Sequence, residues 1–366
     1  MVRVRSVAPP GRIVRSMRRK HSALLALAAA SLVASLIPGF AAASSPGAAA
    51  APPYNLVGCT TNGVCVAVGF AGGPVGTTRA EWSSSGGPWH PLHATRSPHS
   101  QLSDHGSSCW SSGCLFVGES SGRDAVWAFD TSNHTLIRVR APDSAASPGL
   151  RIVGVNCFPA GRCVVADATP GDQSIVRLFA TPNAGTSWSR PRWSAAAPPS
   201  QTLDGFSCVS LRDCLAVNVG ACGCGFEATS THDGGSTWAY GFATRYFPYP
   251  TSLSCASLVR CISVTANPGL EATANFGKSW HPQAPPNWYD PYLVSCATPT
   301  RCLLLLDGYR KEQGKGAVAI GPKGGWRSIV TWRYTTQSSG PGPPSLSCGV
   351  RWCALLALSL PFTFRE

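Results

Sequence analysis

Cys208-Val-Ser-Leu-Arg-Asp-Cys214-Leu-Ala-Val-Asn218 and, further on, Thr231-His-Asp233-Gly-Gly235-Ser-Thr237-Trp238 make up the fullest copy of a unit that this chain writes seven times. The first half is two cysteines separated by four or five residues, with a short apolar run after the second. It recurs as Cys59/Cys65, Cys109/Cys114, Cys157/Cys163, Cys208/Cys214, Cys255/Cys261, Cys296/Cys302 and Cys348/Cys353. The first members are 50, 48, 51, 47, 41 and 52 residues apart. A repeat of that length is one supersecondary unit that cannot bury its own faces and must stack on its neighbours.

The runs after the second cysteine, such as Cys163-Val-Val-Ala-Asp167 and Cys302-Leu-Leu-Leu-Leu306, are short, aliphatic and bounded by turn residues. They read as strands buried on both faces. A second strand precedes each first cysteine, and the intervening residues suit a hairpin loop. Facing Cα atoms in such a hairpin lie about 4.5–5.5 Å apart, within disulfide reach. Closing one ring of about seven residues stabilises by on the order of 2 kcal/mol, and seven rings by roughly 15 kcal/mol if additive. Zinc would need thiolates from different units, so all sixteen cysteines are expected in structural disulfides. Cys222 and Cys224 stand outside the repeat. They are expected in an extra disulfide, within their loop or to a neighbour, with a redox or metal role as the sharper reading.

The second half of the unit occurs three times, as Thr181-x-Asn183-x-Gly185-x-Ser187-Trp188, Thr231-x-Asp233-x-Gly235-x-Thr237-Trp238 and Thr273-x-Asn275-x-Gly277-x-Ser279-Trp280. Asp or Asn bonds the backbone two residues on, and glycine supplies a positive φ. The tryptophan then fills the space between neighbouring units. Trp89 and Trp326 stand at the matching place in units that have lost the rest, and Thr131-Ser-Asn133 keeps only the opening. Each unit therefore holds two hairpins, or four strands in about 45 residues, which is the pattern of a propeller blade.

This second pattern resembles the Asp-box, or BNR repeat, of sialidase-like β-propellers, and the resemblance covers residue 54 to the end. The paired-cysteine strand is similar to that of secreted bacterial proteins with photosystem-assembly-factor-like BNR repeats. The resemblance implies that the three boxes are structural turns at the blade periphery. The expected fold is all-β: a seven-bladed propeller whose last blade is incomplete, or six blades plus a terminal hairpin. Sialidase chemistry would need an arginine triad, an F/Y-R-I-P segment, a Tyr–Glu nucleophile pair and an acidic general acid. The nearest string to that segment, Leu150-Arg151-Ile152-Val153, lacks the aromatic and the proline and reads as strand. No catalytic residue can be carried over.

Residues 1–43 read as a signal peptide: seven basic residues and no acid in the first twenty, an apolar stretch over 23–40, and small residues before a cleavage point after Ala43. An uncleaved membrane anchor is the alternative. Residues 44–53 read as an Ala/Pro linker and 54–366 as one propeller domain. Of the net charge of +13, +7 lies in the signal; the rest is 23 bases against 17 acids. No basic stripe with interleaved aromatics is present, which argues against nucleic acid. His90, His93, His99 and His105 are expected in a loop, and no metal or other cofactor is expected. The expected function is an exported, non-catalytic, monomeric scaffold that binds a protein or glycan. The aromatic segments 240–249 and 288–292 are candidate parts of its surface. A divergent glycoside hydrolase is the alternative, and a purely structural envelope protein is a third reading.

Overall fold

In the computed structural model the described residues are 56–70, 78–94, 100–101, 106–120, 123–142, 151–168, 176–189, 203–219, 226–244, 250–266, 269–284, 290–310, 313–322, 326–335, 345–348, 352–357 and 360–365. The expected signal, the linker, Cys222, Cys224, His99 and His105 lie outside them. Among the described residues, apart from one short 3₁₀ turn, Pro159–Gly161, every regular element is a strand. No helix of the described residues is long and apolar enough to cross a membrane.

The described strands form seven sheets in chain order. The first, fourth, fifth and sixth have four strands, each pairing in sequence order; the third and seventh have three. Within these six every pairing is antiparallel. The second has six because the segment after the first unit adds strands His93–Ala94 and Ser100–Gln101 to its flanks. His90 and His93, expected in a loop, are therefore on short strands: His90 pairs with Trp82 and His93 with Thr135. The first strands of successive sheets, Leu56–Cys59, Ser107–Cys109, Arg151–Phe158, Leu203–Cys208, Pro250–Ser257, Asp290–Thr298 and Ser345–Cys348, lie beside one another in order. The first of these also packs against the seventh sheet. Sheets that touch in this way round to the start are arranged about an axis, and their first strands stand nearest to it. The fold is a β-propeller.

The second strand of each sheet is buried on both faces for a simple reason. Side chains alternate along a strand, and a sheet in this stack has a neighbour on either side. In the third sheet Cys163 and Val165 face Leu115 and Val117 of the second. Val164 and Ala166 face Cys208 and Cys214 of the fourth. In the same way Leu215 and Val217 meet Leu253 and Cys261, and Ile262 and Val264 meet Val294 and Leu304. Val57, Cys65 and Ala67 of the first sheet cluster with Ala354 of the seventh.

All seven cysteine pairs are bonded within their own hairpin: Cys59–Cys65, Cys109–Cys114, Cys157–Cys163, Cys208–Cys214, Cys255–Cys261, Cys296–Cys302 and Cys348–Cys353, with Cα atoms 3.9–4.1 Å apart. Each pair is directly opposed across the first two strands. This is closer than the generic hairpin value, and the hydrogen bonding explains it. The next residues toward the loop form the bonded pair, as in Thr60 N–H to Val64 O (2.8 Å) and Trp110 N–H to Gly113 O (2.9 Å). The cysteines therefore occupy the non-hydrogen-bonded site, where opposed residues approach most closely.

The two cysteines of a pair are not equivalent, a difference that the spacing did not disclose. The second member starts the doubly covered strand and is withdrawn from solvent. Cys114, Cys163, Cys214, Cys261, Cys302 and Cys353 are 0% exposed, and Cys65 is 1% exposed. Cys114 packs with Phe116 and Phe129 in the core between the first two sheets. Cys353 lies beside Ala354, which packs against the first sheet. These sulfurs are core atoms as well as staples. Cys114 and Cys353, expected as structural disulfide cysteines, are bonded as such and also belong to the packed interior.

A second set of bonds joins sheet to sheet. The amide of the first cysteine donates to the side chain preceding the first cysteine of the sheet before it. Cys157 bonds Ser108 (2.8 Å), Cys208 bonds Asn156 (2.8 Å), Cys255 bonds Ser207 (2.9 Å) and Cys296 bonds Ser254 (2.9 Å). Cys59 bonds Ser347 of the seventh sheet (3.0 Å), and Val57 bonds Ser345 (3.2 Å). The first sheet has Gly58 at the acceptor position. A Cβ there would come within 2.6 Å of Cys109 Sγ, so the device is replaced by Ser107 Oγ donating to Val57 O (2.6 Å).

Candidate functional site

Register places the cysteine hairpins and the eight-residue loops at the same end of the sheets. Cys163 opposes Thr181, Cys214 opposes Thr231 and Cys261 opposes Thr273. All three loops make one network. The opening threonine hydroxyl accepts the glycine amide, at 2.9 Å for Gly185 and Gly235 and 3.0 Å for Gly277, and donates to the Asn or Asp oxygen. That oxygen accepts the amides of Ser187, Thr237 and Ser279, each at 2.9 Å. The glycines have φ of 86°, 93° and 86°, which only glycine adopts at no cost. The residue before each also has positive φ: Ala184, Gly234 and Phe276. Burial alone would raise the Asp233 carboxyl, but hydrogen bonds from Thr237, Thr231 and the Ser236 backbone outweigh it and hold it down at about 2.

The tryptophan that ends each loop reaches the preceding sheet. Trp188 Nε1 donates to Arg140 O (2.7 Å), Trp238 packs with Val164 and Leu178 of the third sheet, and Trp280 meets Phe226 edge-on at 4.9 Å. Trp89 and Trp326 do the same without a full loop, against the Ala354 cluster and the Ile262 cluster. The Thr131–Thr135 turn uses another device: Asp130 Oδ1 accepts Ser132 N–H, and Asn133 Oδ1 accepts the Thr135 amide and hydroxyl (2.6 Å). Beside it His134 stacks on Trp82 at 3.7 Å.

The same end carries charge. Arg162, Arg260 and Arg301 each precede the second cysteine of their hairpin, and Arg212 stands one residue earlier. Asp213 is occupied locally: Ser210 Oγ donates to it (2.6 Å) and His232 Nδ1 lies 2.7 Å away. These bonds outweigh burial and lower its pKa. The His232 ring leans on Phe276 of the next unit at 5.4 Å.

Toward the other end, polar groups lie between sheets. Asp167, fully buried, pairs with Arg177 (2.8 Å). Burial pushes its carboxyl up to about 6, against the pull of Arg177 and with a further push from Asp124 of the second sheet. Asp124 also accepts the Ile152 amide (3.2 Å). In the fourth sheet Glu227 accepts from Asn218 Nδ2 (3.2 Å) and from the Tyr240 hydroxyl. Burial, together with Glu227, pushes Tyr240 up to about 12. A Tyr–Glu pair that acts as a nucleophile needs the phenol easier to ionise; this one is harder, and it sits on the two outer strands of its sheet. Glu271, raised by burial, faces the interface between the fourth and fifth sheets. Among the described residues no three His, Cys, Asp or Glu side chains group as metal ligands would.

Among the described residues the structure thus gathers the seven cysteine pairs of the repeat and the box residues at one end. Of the aromatic segments, Tyr240 lies on the outer strand of the fourth sheet and Tyr292 on the first strand of the sixth; residues 245–249 and 285–289 lie outside the described residues. The Ser/Asn acceptors and the Asp167–Arg177 pair were not foreseen. The acceptors had a sequence signal, a small polar residue before six of the seven first cysteines. The ion pair had none.

No family model and no curated protein matches the chain. Solved structures do. One described as YCF48 bound to D1 peptide aligns over 86% of this chain and 92% of its own at TM-score 0.57 and 11% identity. YCF48 from Cyanidioschyzon merolae aligns over 86% and 96% at TM-score 0.57 and 12% identity. A structure of U3-55K aligns over 84% and 89% at TM-score 0.51 and 8% identity. At these identities the likeness shows the β-propeller fold.

Proposed function

We propose that the chain is an exported, non-catalytic β-propeller that holds a protein partner on one end of its ring. Residues 1–43 would be the export signal, residues 44–53 the linker and 54–366 the propeller, with the three eight-residue loops as BNR-type turns. Seven disulfides fit an oxidising compartment. The observation that carries the reading is the stapled end. Hairpin loops of differing sequence are each closed by a disulfide, and five of the seven are also hydrogen-bonded to the unit before through the first-cysteine amide. Variable loops on a rigid frame are the usual seat of recognition. The peptide complex of the YCF48 neighbour supports a protein ligand over a glycan. Five of the described carboxylates, Asp124, Asp167, Asp213, Asp233 and Glu227, are engaged in holding a sheet or a turn, which supports a non-catalytic reading.

The test is a parallel screen of the secreted chain against a displayed peptide library, a glycan array and a panel of fluorogenic glycosides. Saturable peptide binding without glycoside turnover is expected. Turnover that survives repurification would overturn the reading in favour of a glycoside hydrolase, and glycan binding alone would move the ligand class.

A further inference from the structure

Leu258 and Val259 are adjacent large aliphatic side chains that the fold leaves in water, 42% and 64% exposed. They form the two-residue turn of the fifth cysteine hairpin, between the opposed residues Ser257 and Arg260. A tight hairpin turn favours Gly, Asn and Asp, which adopt its dihedrals cheaply, and a β-branched residue gains nothing there. The other two-residue tips at this end are small or turn-forming and carry no large aliphatic: Asn62-Gly63, Ser111-Ser112, Ala160-Gly161 and Pro299-Thr300. Leu258-Val259 therefore serves neither the turn nor the core. Two exposed aliphatics at the tip of a disulfide-closed loop have the form of an interface anchor, which is apolar, rigid and already ordered before binding.

The surroundings specify what the anchor meets. The fourth, fifth and sixth hairpins are consecutive neighbours, joined by the Cys255–Ser207 and Cys296–Ser254 bonds. They bring Arg212 and Arg260 to the same end as the turn, with Lys278 in the loop that follows the fifth hairpin. Among the described residues two carboxylates share this sector, Asp213 and Asp233, and both are committed internally, the first to Ser210 and His232 and the second to Thr231 and Thr237. The sector is apolar at its tip and positive around it.

Resting on the protein-partner reading above, we infer that the Leu258–Val259 turn is the apolar anchor of the partner-binding face. The segment it receives carries an apolar side chain flanked by Asp or Glu. The aliphatic tip enters the partner's apolar patch while the surrounding cations meet its carboxylates, which orient the segment and speed its encounter.

The experiment selects random displayed peptides on the secreted chain and titrates synthetic copies of the winners against variants. L258S/V259S removes the anchor. L258N/V259G also removes it but installs favoured turn residues, so loss of binding there cannot come from misfolding. R212E/K278E reverses two exposed charges. The winners are expected to pair Leu, Ile or an aromatic with flanking acids. Their affinity is expected to fall about tenfold or more, some 1.4 kcal/mol, on all three variants, while melting temperatures hold and binding weakens as salt rises. Winners that bind all variants as they bind the parent overturn the anchor and leave the protein-partner reading standing. Failure to select any peptide, together with a glycan or glycoside hit, overturns that reading as well. Sedimentation with phosphatidylglycerol vesicles that L258S/V259S abolishes would assign the turn to a membrane surface, and a dimer that it dissolves would assign it to a second copy. Either result overturns the proposal.

Discussion

Asp167 and Arg177 show what a single residue pair contributes when it is buried between two sheets. Both are withdrawn from water, and Asp124 adds a second negative group nearby. Removing one partner of such a pair leaves a buried charge uncompensated, so Asp167→Ala is expected to cost about 3–5 kcal/mol in urea unfolding. The double change Asp167→Ala/Arg177→Met should recover most of that loss. The pH dependence has a defined sign. The Asp167 carboxyl rises from 3.8 to about 6 on folding, so the folded chain holds an extra proton between those values. Its contribution favours folding at acid pH and is lost as pH rises through about 6. Unfolding series at acid and neutral pH should show this loss in the parent and a flatter profile in Asp167→Asn. Nothing in the local sequence marks this pair, because Asp167 ends an ordinary apolar run and Arg177 begins another.

The element that organises the molecule is the cysteine hairpin, and it was legible in the sequence because its signal is local. Two thiols four or five residues apart on antiparallel strands leave little freedom in how they pair. The eight-residue loop was legible for the same reason, since Thr, Asn or Asp, Gly and Ser or Thr satisfy one another within a single turn. Replacing both Cys208 and Cys214 by Ala, which adds no polar group at these buried positions, is expected to lower stability by about 2 kcal/mol, the ring-closure term for so short a loop, with the other six hairpins intact by mass spectrometry of the unreduced chain. A much larger loss would mean that this disulfide also holds the joint to the third sheet, where Cys208 N–H meets Asn156. Strand number per unit was less legible. The six-stranded second sheet takes in a Pro- and Ser-rich stretch whose composition reads as loop, and backbone pairing across two units, His93 with Thr135, recruits it.

At the scale of the whole molecule the question is how the first and last units meet. Two serine hydroxyls on the strand Ser345–Cys348 accept the amides of Val57 and Cys59, so this joint repeats the device found between consecutive units. Ser347→Ala is expected to cost about 1–3 kcal/mol, as Ser207→Ala should, because each leaves one amide without its acceptor. An unchanged unfolding midpoint in Ser347→Ala beside a lowered one in Ser207→Ala would show that the two ends do not hold each other. The docking face belongs to this scale too. Leu258, Val259, Arg212 and Lys278 are scattered in the chain, and only the arrangement of the units brings them to one end.

What the sequence determined alone was the repeat, the hairpins within it, the loop chemistry and, from these, the propeller architecture. All of these rest on interactions spanning a few residues, where residue types and spacing specify geometry directly. What the tertiary structure decided was the set of contacts between units: which polar side chain caps which amide, which carboxylate of one sheet meets the strand of the next, and which exposed residues share a surface. Those contacts join residues some 28 to 288 positions apart. Their partners are chosen by the stacking of sheets, which a local pattern of residue types does not encode.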